Sequence, residues 1–404
     1  MEAPTLSAPL DGIRVLDLSR VLAGPWCTQL LGDLGADVIK IERPGAGDDT
    51  RHWGPPWHGE GKRRVAAYFL SANRGKRSAA IDFATEEGAE LVRRLAGQCD
   101  VVVENFKVGA LAKFGLDAAS LRAANPKLIV ASITGFGQDG PYAERAGYDF
   151  IIQGMGGMMS VTGHPDGEPG GGPMRAGVAI ADLFTGMYAC VAILAALHRR
   201  EKTGEGAHID MALFDTQLAM LANQASNALV SGDEPPRQGN THPNIVPYQP
   251  FEAADRPIII AVGNDRQFAR LAAMCGHPEW ASDERFATNS ARVANRDEIV
   301  RLVAECIAQK PATEWFEKLD SAGIPAGPIN RVRQALEDVQ AQHRAMVRTL
   351  GGAQLVGSPV RIDGERSDSE LPPPALGEHT DDVLRELGVN GAEVERLKAD
   401  GVVG

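Results

Sequence analysis

The sequence predicts a protein of the α/β class that is built on a parallel sheet. Short apolar runs of strand length recur in the first third of the chain, and segments with helical spacing separate them. The composition is that of a globular protein, with 44% hydrophobic and 23% charged residues. Strands that alternate with helices pair in parallel, because each helix returns the chain to the same end of the sheet. A sheet of this kind is covered by helices on both faces.

The elements expected in the first third follow this alternation. The strand segments are continuous apolar runs, whereas the helical segments repeat apolar residues every three or four positions. We expect strands at 13–18, 37–42, 101–104 and 128–133. We expect helices at 26–34, 86–95 and 111–124. The stretch 154–177 is rich in glycine and methionine, so a mobile or tightly turning loop is expected there.

The remainder of the chain indicates a second region and a return segment. Two long helices are expected at 182–200 and 210–230, with the turn KTGEG between them. After the proline-rich stretch 233–250 we expect a strand at 258–262 and helices near 265–275, 296–309 and 311–321. An exit linker at 322–329 and a last helix at 381–387 follow, and the tail is expected to pack back on the first domain. The predicted domains are a large domain that begins with 1–224, a small domain at 225–330, and a return segment at 331–404 that completes the large domain.

Charge, hydropathy and cysteine content exclude several classes of protein. The net charge of −12 does not suit a general nucleic-acid binder, which needs a basic surface to displace counterions. The longest apolar run, 184–197, is shorter than the roughly 18 residues of a membrane span, so no membrane partner is expected. The first residues do not form a secretion signal. Five scattered cysteines without a CxxC pair predict neither a disulfide framework nor a zinc site, and they favour a cytoplasmic location.

Residues 40–77 carry an excess of positive charge within this acidic chain. Nine lysines or arginines stand there against four carboxylates. A local excess of this kind indicates one anionic ligand with phosphates rather than a polyanion. The alternative is a solvated surface stretch that binds nothing.

The segment GFGQDG at 135–140 matches the glycine pattern of dinucleotide-binding sites and follows an expected strand. The context is poor, because no long amphipathic helix begins after it, and the chain holds 45 glycines. A nicotinamide or flavin site is therefore kept only as an alternative. Motifs of serine hydrolases, zincins and P-loop proteins are absent from the sequence.

Asp182 is the carboxylate with the most informative position. It lies between the glycine-rich loop and the longest apolar helix. A helix N-terminus is expected to lower the pKa of a carboxylate and to keep it ionised and nucleophilic. The alternative is an N-cap residue that only accepts hydrogen bonds from the first free amides of the helix.

Taken together, six long stretches resemble the family III CoA-transferases, the group of the formyl-CoA, carnitine and bile-acid-inducible enzymes. These stretches are 14–51, 73–83, 100–116, 146–163, 176–189 and 202–215. The resemblance implies a Rossmann-like parallel sheet in the large domain, a smaller α+β domain and an interlocked, ring-like homodimer. It also implies coenzyme A or acyl-CoA as a substrate, with no permanently bound cofactor and no metal. The stretch NIVPYQPFEA and the tail PPPALGEHT resemble the succinyl-CoA-dependent dicarboxylate transferases of the glutarate type most.

The resemblance also implies roles for individual residues, with Asp182 as the acyl-accepting nucleophile. The residues implied to bind CoA are Leu22, Ala23, Arg43, Ile81, Asn105, Phe106, Lys107, Lys113, Thr134, Gly135, Phe136 and Gly137. The residues expected in the substrate pocket are Tyr68, Tyr148, Gly156 and Gly157. A dicarboxylate acceptor needs a second cation, and the candidates that the sequence leaves unranked are Arg51, Arg74 and Arg175.

The implied activity is transfer of CoA from an acyl-CoA donor such as succinyl-CoA to a free dicarboxylate. The intermediates would be an aspartyl anhydride and an aspartyl-CoA thioester at Asp182. Backbone amides at the start of the Asp182 helix, or in the loop Gly154–Gly157, are expected to stabilise the oxyanion.

Two differences from the sequence of formyl-CoA transferase narrow the range of expected substrates. GNTHPN at 239–244 stands in place of the four-glycine lid, and Leu22 stands in place of a glutamine, which disfavours oxalate and formate. Two alternatives to a transferase remain. An α-methylacyl-CoA racemase is disfavoured because Tyr148, a poor base, stands where racemases have a histidine. The other alternative is a non-catalytic CoA-binding protein.

Overall fold

The computed structural model describes residues 8–61 and 64–404. The strands are β1 (Arg14–Asp17), β2 (Asp37–Glu42), β3 (Trp57–His58), β4 (Val65–Ala66), β5 (Lys76–Ala80), β6 (Val101–Glu104), β7 (Ile129–Thr134), β8 (Ala207–Ala212), β9 (Tyr248–Glu252), β10 (Pro257–Ala261), β11 (Ala326–Pro328), β12 (Val347–Leu350), β13 (Ala353–Val356), β14 (Arg361–Ile362) and β15 (Glu365–Arg366). The helices are α1 (Ala23–Asp33), α2 (Ala67–Leu70), α3 (Glu86–Gly97), α4 (Ala118–Ala124), α5 (Asp149–Met155), α6 (Met158–Val161), α7 (Ile180–Thr203), α8 (Leu213–Met220), α9 (Ala222–Ser231), α10 (Asp265–Met274), α11 (Asn289–Ala294), α12 (Arg296–Ile307), α13 (Ala312–Ser321), α14 (Val332–Leu336), α15 (Val339–His343), α16 (Thr380–Glu386) and α17 (Gly391–Ala399). Short 3₁₀ helices span Asp49–His52, Ala112–Phe114 and Pro278–Ala281.

Contacts along the chain group it into two compact units. The first unit contains the residues up to 158 together with 176–229 and 339–404, and the second contains 159–175 and 230–338. The sequence analysis placed 159–175 in the large domain, but in the structure these residues pack within the second unit. The reason is Arg237, whose guanidinium donates to the carbonyl oxygens of Ser160 and His164 and pairs with Asp166.

The first unit is built on a six-stranded sheet in the order β5-β2-β1-β6-β7-β8. All five strand pairings are parallel, which confirms the expected α/β class. The central strand β1 sends Val15 and Leu16 into two different apolar clusters. Because successive side chains of a strand point to opposite faces, both faces of the sheet are covered.

The sequence analysis missed two of the six strands, β5 and β8. Residues 210–230 were expected to be one helix, but Ala207–Ala212 pairs with β7 in parallel and the helices α8 and α9 follow. Along β8 exposed and half-buried residues alternate, as is typical of a strand at the edge of a sheet. A period of two over six residues was hidden by the longer apolar pattern after it.

Two further elements differ from expectation. The single helix expected at 111–124 is divided, because a 3₁₀ turn ends at Phe114 and the Asp117 carboxylate begins α4 by accepting from the N–H groups of Ala119 and Ser120. The expected linker at 322–329 contains β11, which pairs antiparallel with β10 in the three-stranded sheet of the second unit.

The C-terminal tail packs on the first unit, as the sequence indicated. Val383, Leu384 and Val403 are buried in the apolar cluster on one face of the large sheet. Both backbone groups of Ala80 bond to the tail, because its N–H donates to the Thr380 hydroxyl and its carbonyl accepts from Gly404. The tail also contains α17, which the sequence analysis did not predict.

The helix α7 packs very closely on α1. A Cβ atom at Gly186 would lie 2.5 Å from the carbonyl oxygen of Ala23, so a larger residue there would push the helices apart. This contact brings the first turn of α1 close to the first turns of α7. By length and composition α7 is also the one helix, among the described residues, that is apolar enough to cross a membrane, although 44% of its most apolar window is buried in the protein. Core helices of soluble proteins meet the same criteria.

Candidate active site

A cavity of about 220 Å³ lies at the carboxyl ends of three neighbouring parallel strands and contains Asp182. Arg20–Ala23 follow β1, Asn105–Val108 follow β6, and Ile133–Gly135 end β7. The connections from β1 and from β6 leave in opposite directions along the sheet. In open α/β sheets ligands bind at such a switch point, outside the carboxyl ends of the strands.

Asp182 does not cap its own helix. It is the third residue of α7, and Ala179 at the N-cap makes no side-chain bond. Asp149 on α5 caps the helix instead, since its Oδ1 accepts from the N–H groups of Ala181 at 2.8 Å and Asp182 at 3.3 Å. Among the described residues, no group donates a hydrogen bond to the Asp182 carboxylate. The N-cap interpretation of Asp182 is therefore wrong, and the carboxylate is left available for chemistry.

The pKa of Asp182 shifts in the direction opposite to the one expected from its place at a helix N-terminus. Burial, and then the negative charge of Asp149, raise it from 3.8 to about 7. A carboxylate with this pKa is a stronger base and nucleophile than an ordinary aspartate, and it is still substantially ionised near neutral pH. The partial burial of Tyr68, and then the negative charge of Asp182, raise the pKa of the Tyr68 hydroxyl.

The amides that were expected to form an oxyanion hole are already occupied. At the start of α7 the N–H groups of Ala181 and Asp182 bond to Asp149, and in the glycine loop the N–H of Gly156 bonds to the carbonyl of Ile152. The first turn of α1 is different, because the N–H groups of Leu22 and Ala23 have no acceptor among the described residues. Both residues line the cavity, so α1 is the helix whose N-terminal amides can meet an oxyanion there.

The segment in front of α1 is held in a strained conformation. Val21 has a φ of 71°, which a β-branched residue rarely adopts. Its N–H donates to the buried Asp48 carboxylate, and the side chain of Asn105 bonds to both backbone groups of Arg20. Asn105, expected to touch CoA, therefore also fixes the backbone that borders the cavity.

A second cavity of about 400 Å³ adjoins the first. The two share Arg20, Asp49 and Phe106 in their linings. The second cavity joins apolar side chains, among them Ile81, to the cations Lys40 and Arg43. In series, the two cavities thus join an apolar and cationic lining to the Asp182 carboxylate.

The structure brings most of the expected site residues together. Those that line the Asp182 cavity are Leu22, Ala23, Asn105, Phe106, Lys107, Thr134, Gly135 and Tyr148. Arg43 and Ile81 line the second cavity. Five others take structural positions outside both linings. Lys113 lies over the ring of Phe114, Gly137 donates to Thr134 Oγ1, Phe136 packs on Tyr142, and Gly156 and Gly157 pack against Gln217 and Leu221. Tyr68, also outside both linings, stacks edge-on against Trp53.

Two of the three cations expected for a second carboxylate are already paired in the core. Arg51 is buried and donates two hydrogen bonds to Glu42, and Arg74 is buried between Asp33 and Asp368. Arg175 belongs to the second unit. The positive excess at 40–77 is thus largely consumed by buried ion pairs, that of Lys40 with Asp48 included. Arg43 also lines the second cavity, and among the described residues it forms no ion pair.

The GFGQDG segment is a loop rather than a dinucleotide fingerprint. No helix begins after it until α5 at Asp149, so it lacks the helix N-terminus that would hold a pyrophosphate. The loop closes where Gly135 meets Gly147, because a Cβ on either glycine would lie within 2.5 Å of the other's Cα. The alternative of a nicotinamide or flavin site at this segment therefore lacks its structural context, and the loop borders the Asp182 cavity through Gly135.

Sequence reasoning missed three residues of the site. Arg20 and Arg145 line the Asp182 cavity, and Asp149 holds the start of α7. Each lies inside or beside a matched stretch of sequence and within three positions of a residue that was singled out. Their roles depend on the side chains of other segments, which one-dimensional spacing does not reveal.

Comparison with known proteins gives one consistent result. The family model described as "CoA-transferase family III" matches residues 10–380. The succinate–glutarate CoA-transferase of Agrobacterium fabrum is 50% identical over 393 residues, which cover 96% of this chain and 97% of that protein. Succinyl-CoA:glutarate CoA-transferase of Homo sapiens is 40% identical, covering 98% of this chain and 90% of that protein. The crystal structure of a CAIB/BAIF family protein from Brucella suis superposes with a TM-score of 0.84 at 53% identity, covering 94% of this chain and 100% of that one.

Proposed function

The chain belongs to CoA-transferase family III, and on that premise we propose that it transfers coenzyme A from succinyl-CoA to a dicarboxylate of the glutarate type. The observation that carries the proposal is the free Asp182 carboxylate in a cavity at the switch point of a parallel sheet. Relatives that align along nearly the whole chain are named for this reaction. Incubation with succinyl-CoA and glutarate tests the proposal, because glutaryl-CoA must form together with free succinate.

In the proposed mechanism Asp182 is the nucleophile. Its carboxylate oxygen attacks the thioester carbon, the C–S bond breaks, and a mixed anhydride and the CoA thiolate form. The thiolate then attacks the carbonyl carbon of Asp182, which releases succinate and leaves an aspartyl-CoA thioester. The acceptor carboxylate repeats the two steps in reverse order. The mixed anhydride on Asp182 remains as activated towards attack as the thioester, whereas an ester on a serine would lose that activation.

The free amides of α1 and the second cavity fit this scheme. The N–H groups of Leu22 and Ala23 would stabilise the tetrahedral oxyanion at each step. Apolar Ile81, with Arg43 and Arg20, would hold the adenine and the phosphates of CoA in the second cavity. The proposal includes a Rossmann-like fold for the parallel sheet of the first unit and a smaller α+β domain in the second unit.

The rate of transfer is expected to rise with pH through about 7, because the ionised form of Asp182 is the nucleophile and its pKa is about 7. Asp149→Asn keeps an oxygen that accepts from the α7 amides but removes the charge that helps to raise this pKa. The midpoint of kcat/KM against pH for succinyl-CoA should therefore move to lower pH in Asp149→Asn, while burial keeps it above 3.8. The exposed Asp215→Asn serves as the control and should leave the midpoint in place. An unchanged midpoint in Asp149→Asn would contradict this electrostatic account.

The proposal includes a homodimer. Phe184, Met187, Tyr188 and Val191 are each at least 42% exposed and form an apolar stripe on α7, whose opposite face is in the core. Such a stripe at helical spacing is typical of a surface that another subunit covers. Sedimentation at micromolar concentration should give twice the chain mass, and Val191→Glu should shift the protein towards the monomer. Lys202→Glu, at the exposed end of the same helix, should not. A monomeric wild-type protein would contradict the homodimer.

A further inference from the structure

We propose that Arg145 binds the distal carboxylate of the dicarboxylate substrates and thereby sets the preference for diacids over monoacids. The inference rests on the proposed transferase function. In this inference Arg145, which the sequence did not indicate, contacts the distal carboxylate of the donor's succinyl group. It makes the same contact with the distal carboxylate of the acceptor acid.

Three cations line the Asp182 cavity: Arg20, Lys107 and Arg145. Arg20 also lines the second cavity, lies over the ring of Phe106 and is 3.9 Å from Asp49, so it belongs to the passage between the cavities. Lys107 follows Phe106 directly on the turn that borders the same passage. Lys107 and Arg145 both line the Asp182 cavity and not the second one, and neither has an ion-pair partner among the described residues. Arg145 differs in its position, because it lies on the same loop as Tyr148 rather than on the turn after Phe106.

The guanidinium of Arg145 is held in place without being neutralised. It lies 4.5 Å from the ring centre of Tyr142, and Tyr142 packs edge-on against Phe136 at 5.4 Å. Phe136 in turn packs on Phe214 of α8 at 5.8 Å. Stacking on an aromatic ring orients a guanidinium and leaves its N–H groups free in the plane. The contact between Gly135 and Gly147 closes the base of this loop and limits its freedom.

A dicarboxylate in this cavity requires a cation of this kind. Asp182 already places one carboxylate in the cavity, Asp149 accepts from its backbone N–H, and the substrate adds a further negative charge. A carboxylate that leaves water without a partner is strongly destabilised, and a planar guanidinium can pair with it through two parallel hydrogen bonds. A monoacid makes no such contact. Since Arg145 is exposed, a monoacid leaves it solvated, and the discrimination is expected to be moderate.

The test compares Arg145→Met and Arg145→Lys with the control Lys107→Met. We measure kcat/KM for succinyl-CoA and for butyryl-CoA with glutarate as the acceptor, and the Kd of free coenzyme A by calorimetry. Arg145→Met should lower kcat/KM for succinyl-CoA about 10- to 100-fold, the size expected for a lost charge-assisted bond. Its kcat/KM for butyryl-CoA and its Kd for coenzyme A should change less than about threefold. Arg145→Lys should recover part of the preference, because the charge remains.

The control separates selection of the acid from binding of CoA. Lys107→Met should weaken coenzyme A and lower kcat/KM for both thioesters by the same factor. If Arg145→Met also weakens coenzyme A or affects both thioesters equally, Arg145 binds CoA and the inference is overturned. Unchanged kinetics of Arg145→Met with succinyl-CoA overturns it as well. A wild-type protein that makes no glutaryl-CoA at all refutes the proposed function itself, an outcome distinct from active variants that merely keep their preference.

Discussion

Asp182→Ala is expected to lower CoA transfer by on the order of 10⁴-fold or more, because removal of the attacking group leaves only substrate positioning. The variant should still bind coenzyme A, whose contacts lie along the strand ends and in the second cavity. The measurements are initial rates of glutaryl-CoA formation and the Kd of coenzyme A. Mass spectrometry of the wild type quenched with hydroxylamine or borohydride during turnover should mark position 182. Undiminished exchange in Asp182→Ala would exclude the covalent mechanism.

The melting temperature of a second variant, Asp182→Asn, tests whether the charge of Asp182 costs stability in the folded protein. The folded pKa of Asp182 is raised to about 7 from 3.8, so ionisation in the folded state costs stability increasingly as pH rises from about 4 to 7. Asp182→Asn should therefore melt higher than the wild type at pH 8 and equally at pH 4. Asp215→Ala, an exposed aspartate of α8, is the control that should retain both activity and melting temperature.

Deuterium exchange into the α-carbon of an acyl-CoA, with no transfer, would favour the racemase alternative.

Asp17→Ala is expected to destabilise the first unit strongly. Asp17 is fully buried at the end of β1, where it accepts from Lys76 Nζ at 3.0 Å and from Thr28 Oγ1 at 2.6 Å. Burial acts to raise its pKa, but Lys76, Lys40 and two hydroxyl groups outweigh burial and lower it to about 2. Removal of Asp17 leaves the buried Lys76 amine without its carboxylate partner, at a cost of about 3–5 kcal/mol in the free energy of unfolding. Urea denaturation at pH 7 measures it.

A double-mutant cycle tests whether the buried pair is the cause. Lys76→Met alone should also destabilise, and the double variant should recover much of the loss because neither buried charge remains. The contribution of Asp17 should be present above pH 3.8 and be lost as pH falls through about 2. Arg385→Ala, which breaks an exposed pair with Asp382, should leave the unfolding midpoint unchanged. Strictly additive losses in the cycle would refute the pairing.

The same buried network links stability to the site. Lys40 Nζ donates to the carbonyl of Ser19 at 2.8 Å and pairs with Asp48, whose carboxylate holds the strained Val21. Asp17 also accepts from the N–H of Ser19 at 2.9 Å. Variants of this network are therefore expected to displace the turn that presents the α1 amides to the cavity. Lys40 and Lys76, which the sequence analysis counted in the positive excess at 40–77, thus serve mainly to hold that turn.

Local patterns predicted those elements that their own residues specify. Strands 37–42 and 101–104 have the expected bounds, since continuous apolar runs identify buried parallel strands. The edge strand β8 and the divided helix at 111–124 were missed because their boundaries depend on pairing with β7 and on the Asp117 cap. The nucleophile was predicted from its place before an apolar helix and from the family resemblance. Its raised pKa was not, since it arises from burial and from Asp149, 33 residues away along the chain.

By itself the sequence determined the α/β class, the family and the identity of the candidate nucleophile, because these depend on periodicity and on long ordered motifs. Only the tertiary structure decided which charges are free. Arg51 and Arg74 turned out to be neutralised in the core, whereas Arg145 has no ion pair and the first amides of α1 have no acceptor among the residues that the structure describes. The physical reason is that a charged or polar group acts on a ligand only if no neighbouring group has already paired with it, and those neighbours come from distant segments of the chain.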